Sequence, residues 1–374
     1  MTVLVIGGAG FIGSHLVDAL IARGYKVRVL DNLEPQVHGE SDAPPDYFNE
    51  EAEFLCGDVR DLDCLRRAVQ DVEVIYFQAA AVGVGQSMYQ IRRYVEVNSV
   101  GAANLLDVLV NDRHKVQKVI VASSMSIYGE GKYQCPEHGE VYPKIRPIEQ
   151  LVVQDWEPRC PIKGCGMPLV PLPTDEDKPL NPTSIYAITK RDQEEMFLCV
   201  GRAYGIPVVA LRYFNVYGSR QALSNPYTGV VAIFSARILN GRPPIIYEDG
   251  RQSRDFVHVS DVVQANLLAM EHDEANWEAI NVGTGRPITV LEVAHLLSEH
   301  LGFNHSPEIT QKYRVGDIRH CFADITKARE LLGYEPKVSF AEGVKEVVTW
   351  VSQQTAKDRV EEAQGQLLRR NLIL

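Results

Sequence analysis

The sequence predicts an α/β fold in which a doubly wound parallel sheet is covered by helices on both faces. In the first half of the chain, short runs rich in β-branched residues alternate with longer amphipathic segments, and in the second half the elements become shorter and more mixed. Strands that alternate with helices in this way form a parallel sheet with helices on both sides. We therefore expect such a sheet together with a smaller, interleaved α/β domain.

The elements are predicted from these apolar runs and from helical periodicity. In the main sheet we predict strands at 3–6, 27–30, 54–55, 74–77, 118–122 and 207–211. The helices between them are predicted at 10–23, 61–70, 98–111 and 184–204. After residue 212 we predict helices at 229–240, 260–271, 290–301 and 340–353, with strands near 244–247, 255–259 and 280–282.

The order of these elements predicts two domains and one insertion. We expect a first domain at 1–211, a second at 212–350 of which about 252–275 returns to the first, and a polar C-terminal tail at 351–374. Residues 130–175 are rich in Pro, Cys and Gly and show no clear period. Structureless loops longer than about 15 residues are uncommon, so this stretch is predicted to be an inserted subdomain.

Composition and charge exclude several classes of protein. Hydrophobic residues make up 45% and charged residues 23% of the 374 residues, which is ordinary for a folded globular protein. The formal net charge of −11 argues against a general nucleic-acid binder. No apolar run reaches the roughly 18 residues of a membrane span. Seven cysteines, an odd number, and a start without signal-like features favour the reducing cytoplasm over a disulfide framework.

A glycine-rich turn directly follows the first predicted strand, with Gly7, Gly10 and Gly13 at three-residue spacing. Between a strand and a helix, the first glycine permits a tight turn and the second lets the backbone approach a pyrophosphate. The third lets the helix pack closely on the strand. The N–H groups at the start of the helix then face the anion. This context predicts a Rossmann-type dinucleotide site rather than a coincidental turn.

An acidic residue at the end of the second predicted strand favours NAD as the dinucleotide. Asp31, followed by Asn32, stands about 20 residues beyond the glycines, where a carboxylate accepts hydrogen bonds from the adenosine ribose. The same charge would repel a ribose 2′-phosphate, which disfavours NADP. Asp58 and Val59 follow the third predicted strand and could contact the adenine, but an ordinary Asp-containing turn explains them equally well.

Tyr186 and Lys190 are four residues apart in a predicted helix, so both side chains lie on one face. A tyrosine hydroxyl is a poor base at neutral pH because its pKa is near 10. A neighbouring ammonium and an oxidised nicotinamide favour the phenolate and so lower that pKa. Ser124 follows the strand at 118–122 and could hydrogen-bond the same substrate oxygen. Ser124 and Tyr186 are both expected at the carboxyl ends of the strands, where open α/β sheets bind ligands.

Six stretches together resemble a known family. They are GGAGFIG at 7–13, DNL at 31–33, SSMSIYG at 123–129, TSIYAITK at 183–190, LRYFNVYG at 211–218 and RDFVHVSD at 254–261. In this order they are similar to the extended short-chain dehydrogenase/reductases, in the branch of nucleotide-sugar epimerases. The resemblance implies that Tyr186 is the catalytic base, that Lys190 contacts the nicotinamide ribose and that Ser124 assists. It also implies a homodimer formed through the helices near 98–111 and 184–204.

The resemblance further implies a set of NAD contacts and a set of nucleotide-sugar contacts. The NAD contacts are Gly7, Gly10, Phe11, Ile12, Gly13, Asp31, Asn32, Asp58, Val59, Gln78, Ala79, Ala80, Asn98, Tyr186, Lys190 and Tyr213. The nucleotide-sugar contacts are Val82, Gln86, Ser124, Met125, Ser126, Asn215, Arg254, Arg314 and Asp317. The resemblance implies that Arg254 and Arg314 contact the diphosphate, whose geometry guanidinium groups suit, with surface salt bridges as the alternative.

The residues after Ser124 limit which reactions of this family are expected. Sugar 4,6-dehydratases have a sequence similar to Ser-Thr-Asp-Glu at this point and use its carboxylates to eliminate water. Here Met125 and Ser126 follow Ser124, so dehydration is not expected. A 4-epimerase needs only one base and a cofactor that accepts and returns hydride. The stretch LRYFNVYGSRQALSNPYTGVV at 211–231 and the Cys-bearing insertion are similar to dTDP-L-rhamnose 4-epimerases, which interconvert that sugar with dTDP-6-deoxy-L-talose.

Several alternatives remain open at this point. They are a UDP-glucose/galactose or UDP-glucuronate 4-epimerase, a 4-keto-sugar reductase, and a catalytically silent NAD-binding sensor. A reductase would release its cofactor after each turnover, whereas an epimerase can retain it. The intact set of Ser124, Tyr186 and Lys190 argues against a sensor, which has no need of a tuned phenol.

Cys135, His138, Cys160 and Cys165 lie in the insertion, and both groups begin with Cys-Pro. Three thiolates and one imidazole would fill a tetrahedral zinc site without an open position, so the predicted zinc is structural. An insertion of this size is too small to build its own core, and a metal would compensate. The alternative is three reduced thiols and a surface histidine, because Cys-x4-Cys is longer than the usual spacing.

Overall fold

A computed structural model describes residues 1–374 and consists of a large parallel sheet, three small sheets and the helices around them. The strands are Thr2–Ile6 (β1), Lys26–Asp31 (β2), Glu53–Cys56 (β3), Val74–Phe77 (β4), Lys118–Ser124 (β5), Lys132–Cys135 (β6), Gly139–Val141 (β7), Val170–Leu172 (β8), Val208–Tyr213 (β9), Asn215–Tyr217 (β10), Ile245–Ile246 (β11), Ser253–His258 (β12), Ala279–Val282 (β13), Pro287–Thr289 (β14), Glu308–Ile309 (β15) and His320–Cys321 (β16). The α-helices are Phe11–Ala22 (α1), Pro35–His38 (α2), Leu62–Val69 (α3), Val84–Ser87 (α4), Ile91–Tyr94 (α5), Gly101–Asn111 (α6), Ile148–Val152 (α7), Ile185–Tyr204 (α8), Val230–Leu239 (α9), Val259–Glu271 (α10), Val290–His300 (α11), Thr326–Leu332 (α12), Phe340–Val351 (α13) and Val360–Leu368 (α14).

The main sheet has seven parallel strands in the order β13-β9-β5-β4-β1-β2-β3. The chain winds outward from β1 to β3, crosses back to β4 and then continues in the opposite direction. Ligands of open α/β sheets bind at such a crossover, beside the carboxyl ends of the strands. All six strands that the first half of the sequence predicts are present, and the predicted fold class is confirmed.

Apolar side chains cover both faces of this sheet. In β1, Val3 and Val5 join one buried cluster with α1 and α10, whereas Leu4 and Ile6 join a second cluster with α3, α6 and α8. Successive residues of a strand point to opposite faces, so a strand buried on both faces needs a continuous apolar run. This double burial is the physical reason for the β-branched runs in the sequence.

The second domain is more interleaved with the first than its predicted range of 212–350 suggests. Its own core packs α9, α11 and α13 against a small sheet of β10, β12 and β14. The return to the main sheet, expected at about 252–275, also includes β13, which pairs with β9. Cys321, Ala328 and Tyr334 belong to the main-sheet cluster as well.

The predicted insertion at 130–175 contains a three-stranded antiparallel sheet, in the order β7-β6-β8, and the short helix α7. Its own buried apolar cluster is small and consists of Tyr133, Cys135, Val141, Cys160 and Leu169. The insertion therefore has little hydrophobic core of its own.

Two further segments differ from the sequence-based expectation. The helix predicted at 98–111 begins earlier, as α5, and passes through a π-helical turn at Val95–Val100 before α6. The tail at 351–374 contains α14, in keeping with its helix-prone sequence, but its last residues pair with Tyr313 and Val315 and Ile373 is buried. None of the helices combines the length and the apolar character that crossing a lipid bilayer requires.

Candidate active site

The glycine-rich turn joins β1 to α1 at the carboxyl edge of the main sheet. Gly7 has a φ of 84°, and a Cβ there would lie 2.7 Å from the backbone nitrogen of Ala79. A Cβ on Gly13 would lie 2.1 Å from the carbonyl oxygen of Gly7. A Cβ on Gly10 would meet only that same oxygen, at 3.4 Å. Gly7 and Gly13 are therefore required by packing, whereas Gly10 leaves open space at the start of the helix.

The first turn of α1 fits the pyrophosphate of a dinucleotide. Gly10 occupies the N-cap position, no side chain caps the helix, and its first turn holds no acidic residue. The N–H groups of such a turn need an outside acceptor. Phosphate oxygens suit them because the positive end of the helix dipole also favours an anion.

Asp31 ends β2 beside this turn, where its carboxylate is buried. It accepts hydrogen bonds from the backbone N–H groups of Ala9, at 3.0 Å, and Leu33, at 2.9 Å. Two carboxylate oxygens can accept about four hydrogen bonds, so capacity remains for ribose hydroxyls. The residues at this edge therefore fit NAD, as the sequence predicts.

Asn32 and Asp58 lie on the same edge, with Asn32 Nδ2 donating to Asp58 Oδ2 at 2.9 Å. Partial burial raises the pKa of Asp58, but hydrogen bonds from Arg60 and Asn32 outweigh it and bring the pKa to about 2. Asp58 is thus a carboxylate throughout the neutral pH range. The side chain of Val59, which follows Asp58, is buried in the second cluster of the main sheet, so a contact of Val59 with the adenine would come from its backbone.

The predicted cofactor contacts after β4 are tied into two buried polar networks. Gln78 Nε2 donates to Tyr213 Oη at 3.0 Å and to Asn266 Oδ1 at 3.1 Å. Asn98, in the π-helical turn, hydrogen-bonds both the backbone N–H and the carbonyl oxygen of Ala81, at 2.8 and 3.1 Å. These residues fix the loop that contains Ala79 and Ala80. Asn266, on α10, was not predicted because its partners are distant in sequence.

Ser124 ends β5, and Tyr186 lies in the first turn of α8 at the same edge of the sheet. The Ser124 hydroxyl oxygen accepts hydrogen bonds from the backbone N–H of Ser126, at 3.2 Å, and from its hydroxyl, at 2.9 Å. A hydroxyl has two acceptor positions and one proton, so the Ser124 proton remains available to the oxygen of Tyr186 or of a ligand. Ser184 caps α8 by accepting from the N–H of Ala187 at 3.1 Å, which fixes the turn that presents Tyr186.

The electrostatics of this group differ from the sequence-based expectation. Burial raises the pKa of Tyr186, and hydrogen bonding with Ser124 offsets only part of that rise. Lys190 Nζ donates to the carbonyl oxygen of Ala122 at 2.8 Å and to Gln193 Oε1 at 2.9 Å. Burial lowers the pKa of Lys190 itself to about 7.

Several predicted substrate contacts are engaged within the protein. Gln86 is buried and exchanges hydrogen bonds with the amide of Gln36, while its Oε1 also accepts from Tyr94 Oη at 3.0 Å. Met125, expected to line the sugar pocket, packs in the main-sheet cluster. Val82 is exposed, and Ser126 is bonded to Ser124.

The predicted diphosphate contacts also have partners in the protein. Arg254 donates to the backbone carbonyl oxygens of Ser253, Ile318 and Arg319. Arg314 Nε donates to Asp317 Oδ2 at 2.8 Å. Binding of a diphosphate here would therefore compete with these internal contacts.

Asn215, another predicted substrate contact, has a side-chain oxygen that makes no hydrogen bond within the protein. This atom, Oδ1, is buried. A buried acceptor without a partner costs free energy. This atom therefore fits a donor from a ligand, such as a sugar hydroxyl.

The C-terminal residues pair with the segment that contains Arg314 and Asp317. The sequence carries no signal for this pairing. Val315 N–H donates to Leu372 O at 3.0 Å, and Tyr313 and Leu374 exchange backbone hydrogen bonds. A small cavity of about 20 Å³ remains, lined by Gly85, Ser184, Arg314, Asp317 and Leu367 among others. Two predicted substrate contacts, Arg314 and Asp317, thus lie beside the C-terminal residues.

The four predicted metal ligands, Cys135, His138, Cys160 and Cys165, come together in the insertion. Their ligand atoms all lie within 4.8 Å of one another. They form a cluster separate from the Ser124 and Tyr186 site.

Comparison with known proteins gives matches along nearly the whole chain. The family model described as "NAD dependent epimerase/dehydratase family" matches residues 3–150 and 166–283. A dTDP-L-rhamnose 4-epimerase from Burkholderia thailandensis is 35% identical over 94% of this chain and 95% of its own length. A UDP-glucose 4-epimerase from Mycolicibacterium smegmatis is 33% identical over 93% of this chain and 97% of its own length. The crystal structure of a Thermus thermophilus UDP-glucose 4-epimerase in complex with NAD has a TM-score of 0.72 at 32% identity, covering 94% of this chain and 99% of that chain.

Proposed function

The chain belongs to the NAD-dependent epimerase/dehydratase family, and from this premise we propose that it is an NAD-dependent nucleotide-sugar 4-epimerase. The observation that carries this proposal is the meeting of Ser124 and Tyr186 at the carboxyl edge of the main sheet, on which the uncapped glycine turn also opens. Reversible oxidation of a sugar hydroxyl needs a proton acceptor, a hydrogen-bond donor and a bound dinucleotide. Tyr186, Ser124 and the glycine turn would supply these on one edge of the sheet.

In the proposed reaction, Tyr186 takes the proton of the sugar 4-hydroxyl while Ser124 donates a hydrogen bond to the same oxygen. NAD, when bound, supplies the hydride acceptor for sugar carbon 4 and a positive charge beside Tyr186. The glycine turn would hold its pyrophosphate and Asp31 its adenosine ribose. Since burial raises the pKa of Tyr186 in the protein alone, the phenolate depends on positive charge brought into the site. The 4-keto sugar then turns over and is reduced on its other face, and Tyr186 returns the proton.

We propose dTDP-L-rhamnose as the substrate, interconverted with dTDP-6-deoxy-L-talose. The relative from Burkholderia thailandensis and the similarity of residues 211–231 support this choice. The relative from Mycolicibacterium smegmatis makes UDP-glucose the second candidate. The two candidates share the chemistry at carbon 4 and differ in the nucleotide base and the sugar.

A panel of substrates tests the proposal. Purified protein is given dTDP-L-rhamnose, UDP-glucose or UDP-glucuronate without added cofactor, and the products are separated by chromatography and identified by NMR. We expect the talose epimer from dTDP-L-rhamnose. Conversion of a UDP-sugar alone would replace the substrate assignment. Stoichiometric reduction of added NAD to NADH without formation of an epimer would favour a 4-keto-sugar reductase running in reverse, and no conversion of any sugar by NAD-loaded protein would overturn the 4-epimerase.

We further propose that the chain forms a homodimer through the π-helical turn, α6 and α8. These helices pack against each other, and Val95, Val100 and Ile188 leave apolar side chains exposed on them. Pairing with a second copy would bury these side chains, which is the favourable term in most protein association.

A further inference from the structure

We propose that Cys135, His138, Cys160 and Cys165 bind one Zn²⁺ ion with four protein ligands, and that this ion holds the insertion against the segment of residues 313–320, called the arm below. Cys135 ends β6, and His138 lies in the turn between β6 and β7. Cys160 and Cys165 lie in the loop between α7 and β8. Two separate parts of the insertion thus converge on one point.

Three of the six distances between the ligand atoms match a tetrahedral zinc site, and all six are within 4.8 Å. With Zn–S near 2.3 Å and Zn–N near 2.0–2.1 Å, tetrahedral ligands lie about 3.8 Å apart for two sulfurs and about 3.5 Å apart for sulfur and nitrogen. Cys135 Sγ lies 3.8 Å from Cys165 Sγ and 3.5 Å from His138 Nδ1. Cys160 Sγ lies 3.7 Å from the same nitrogen. A disulfide requires about 2.05 Å between sulfurs, so these thiols are spaced for an ion and not for a bond.

The backbone around the cluster is shaped to bring the ligands together. Gly139, Gly164 and Gly166 have φ values of 72°, 86° and 62°. A Cβ on any of them would meet no atom within 4 Å. Their conformation, and not close packing, therefore explains why glycine stands at these turns.

The insertion also needs the stabilisation that a metal supplies. Two of the five residues in its buried cluster are Cys135 and Cys160 themselves. A cluster of this size contributes too little hydrophobic burial to order a segment of this length, whereas structural zinc contributes its binding free energy to folding. The segment between the two family matches, 151–165, contains Cys160 and Cys165. Two of the four proposed ligands therefore lie outside the part of the chain that the family model matches.

Both parts of the cluster are linked to the arm through Arg319. On the side of Cys135, Tyr133 Oη donates to Glu130 Oε2 at 2.8 Å, and Glu130 Oε1 accepts from the backbone N–H of Arg319 at 2.7 Å. On the side of Cys160, Glu157 Oε1 accepts from the guanidinium of Arg319 at 2.6 Å. Arg319 is fully buried and its guanidinium also pairs with Glu248 and Asp249, so loss of Glu157 would leave this buried charge incompletely paired.

The arm carries two predicted substrate contacts, Arg314 and Asp317, and its position depends on the insertion. Arg146, from the insertion, donates to the backbone oxygen of Asp317 at 3.1 Å. Trp156 packs against Tyr313 with ring centres 6.4 Å apart. The ion would therefore position the nucleotide-binding side of the active site without touching substrate. This positioning role rests on the proposed function, whereas the metal site does not.

Metal analysis tests the site independently of activity. We expect elemental analysis of dialysed wild-type protein to find about one zinc per chain. The double variant Cys160→Ser/Cys165→Ser should lose nearly all of it, and the control Cys199→Ser, at an exposed cysteine of α8, should retain it. The site would be overturned if wild-type protein stayed free of zinc after incubation with Zn²⁺ or held a different metal. Full zinc content in the double variant would also overturn it.

Chelation provides the same test without a variant. Removal of zinc from wild-type protein with a chelator should expose three additional reactive thiols and make the loop at 153–169 sensitive to protease. Cobalt added to the stripped protein should give the visible absorption of a tetrahedral thiolate site. Thiols that react equally before and after chelation would contradict metal ligation.

The positioning role is tested by nucleotide-sugar binding. In the double variant, KM should rise about tenfold while kcat changes much less, because the arm contacts bound substrate rather than reacting atoms. Unchanged KM with loss of zinc would overturn the positioning role and leave the site intact. Zinc-loaded protein without activity on any sugar would instead overturn the proposed function.

Discussion

The side-chain nitrogen of Lys190 lies 2.8 Å from the backbone oxygen of Ala122, two residues before Ser124. This hydrogen bond ties α8 to the strand that presents Ser124. Tyr186 is one helical turn away from Lys190, so the bond also sets the position of Tyr186 relative to Ser124. Lys190 thus has a positioning role in the protein alone, in addition to its proposed contact with the nicotinamide ribose.

Replacing Tyr186 with Phe should abolish turnover without unfolding the protein. The variant removes only the hydroxyl that takes the proton, and general acid–base groups typically contribute about 10²- to 10⁴-fold in rate. We therefore expect kcat to fall by at least about 10²-fold, with an unchanged melting temperature and unchanged NAD content. Activity near the wild-type level would show that another group is the base.

Lys190 should make stability depend on pH. Burial lowers its pKa to about 7 in the folded chain, whereas its ordinary value is 10.5. Between these pH values the unfolded chain binds more protons, so the contribution of Lys190 to the free energy of unfolding rises as pH increases above about 7. Relative to Lys190→Met, wild-type apoprotein should gain about 1 kcal/mol per pH unit in this window.

Urea unfolding of both proteins near pH 7 and about two units higher measures this difference. A gap between wild type and Lys190→Met that does not change with pH would contradict a buried, readily deprotonated ammonium. A free energy of unfolding of wild type that falls relative to that of Lys190→Met as pH rises would contradict the direction of the shift.

Alanine at Gly10 and at Gly13 should separate ligand binding from folding. At Gly13 the added Cβ would lie 2.1 Å from Gly7 O, so we expect destabilisation of about 1–3 kcal/mol. Gly10 has ordinary extended backbone angles and space for a Cβ, so Gly10→Ala should fold normally. Its Cβ would stand where the pyrophosphate approaches and should weaken NAD binding at least about tenfold. Equal NAD affinity in Gly10→Ala and wild type would place the pyrophosphate elsewhere.

Asp31 should determine the preference for NAD. Asp31→Ser removes the charge that would repel a 2′-phosphate and the acceptor for the ribose hydroxyls. Calorimetry should show that NAD binding weakens by about tenfold or more while binding of NADP improves relative to it. Asp42→Ser, an exposed change outside the site, is the control and should alter neither affinity. An unchanged preference in Asp31→Ser would remove Asp31 from the adenosine site.

The proposed dimer predicts different effects for two equally exposed isoleucines. Ile188 on α8 and Ile148 on α7 are each 48% exposed. Lysine at Ile188 would place a charge in the proposed interface and should shift sedimentation from dimer to monomer. Lysine at Ile148 should leave a dimer. Identical sedimentation of both variants would exclude α8 from the interface.

The sequence was sufficient for the main sheet, the glycine turn and the grouping of Ser124 with Tyr186. Each depends on contiguous residues or on a rule of topology: double burial produces unbroken apolar runs, and parallel strands end at one edge of the sheet. The four metal-ligand candidates were also found, because thiols and imidazoles have few other reasons to recur in one small insertion.

Only the tertiary structure decided which partner each polar group takes. Lys190 bonds Ala122 and Gln193, Gln86 pairs with Gln36, and Arg254 binds backbone carbonyl oxygens, although local motifs assigned these side chains to ligands or to Tyr186. The π-helical turn, β13 in the main sheet and the pairing of the C-terminal residues with Val315 also have no local signal. Spacing along a chain limits which groups can share a face, but every buried donor must find an acceptor, and that acceptor comes from whichever distant segment packs beside it.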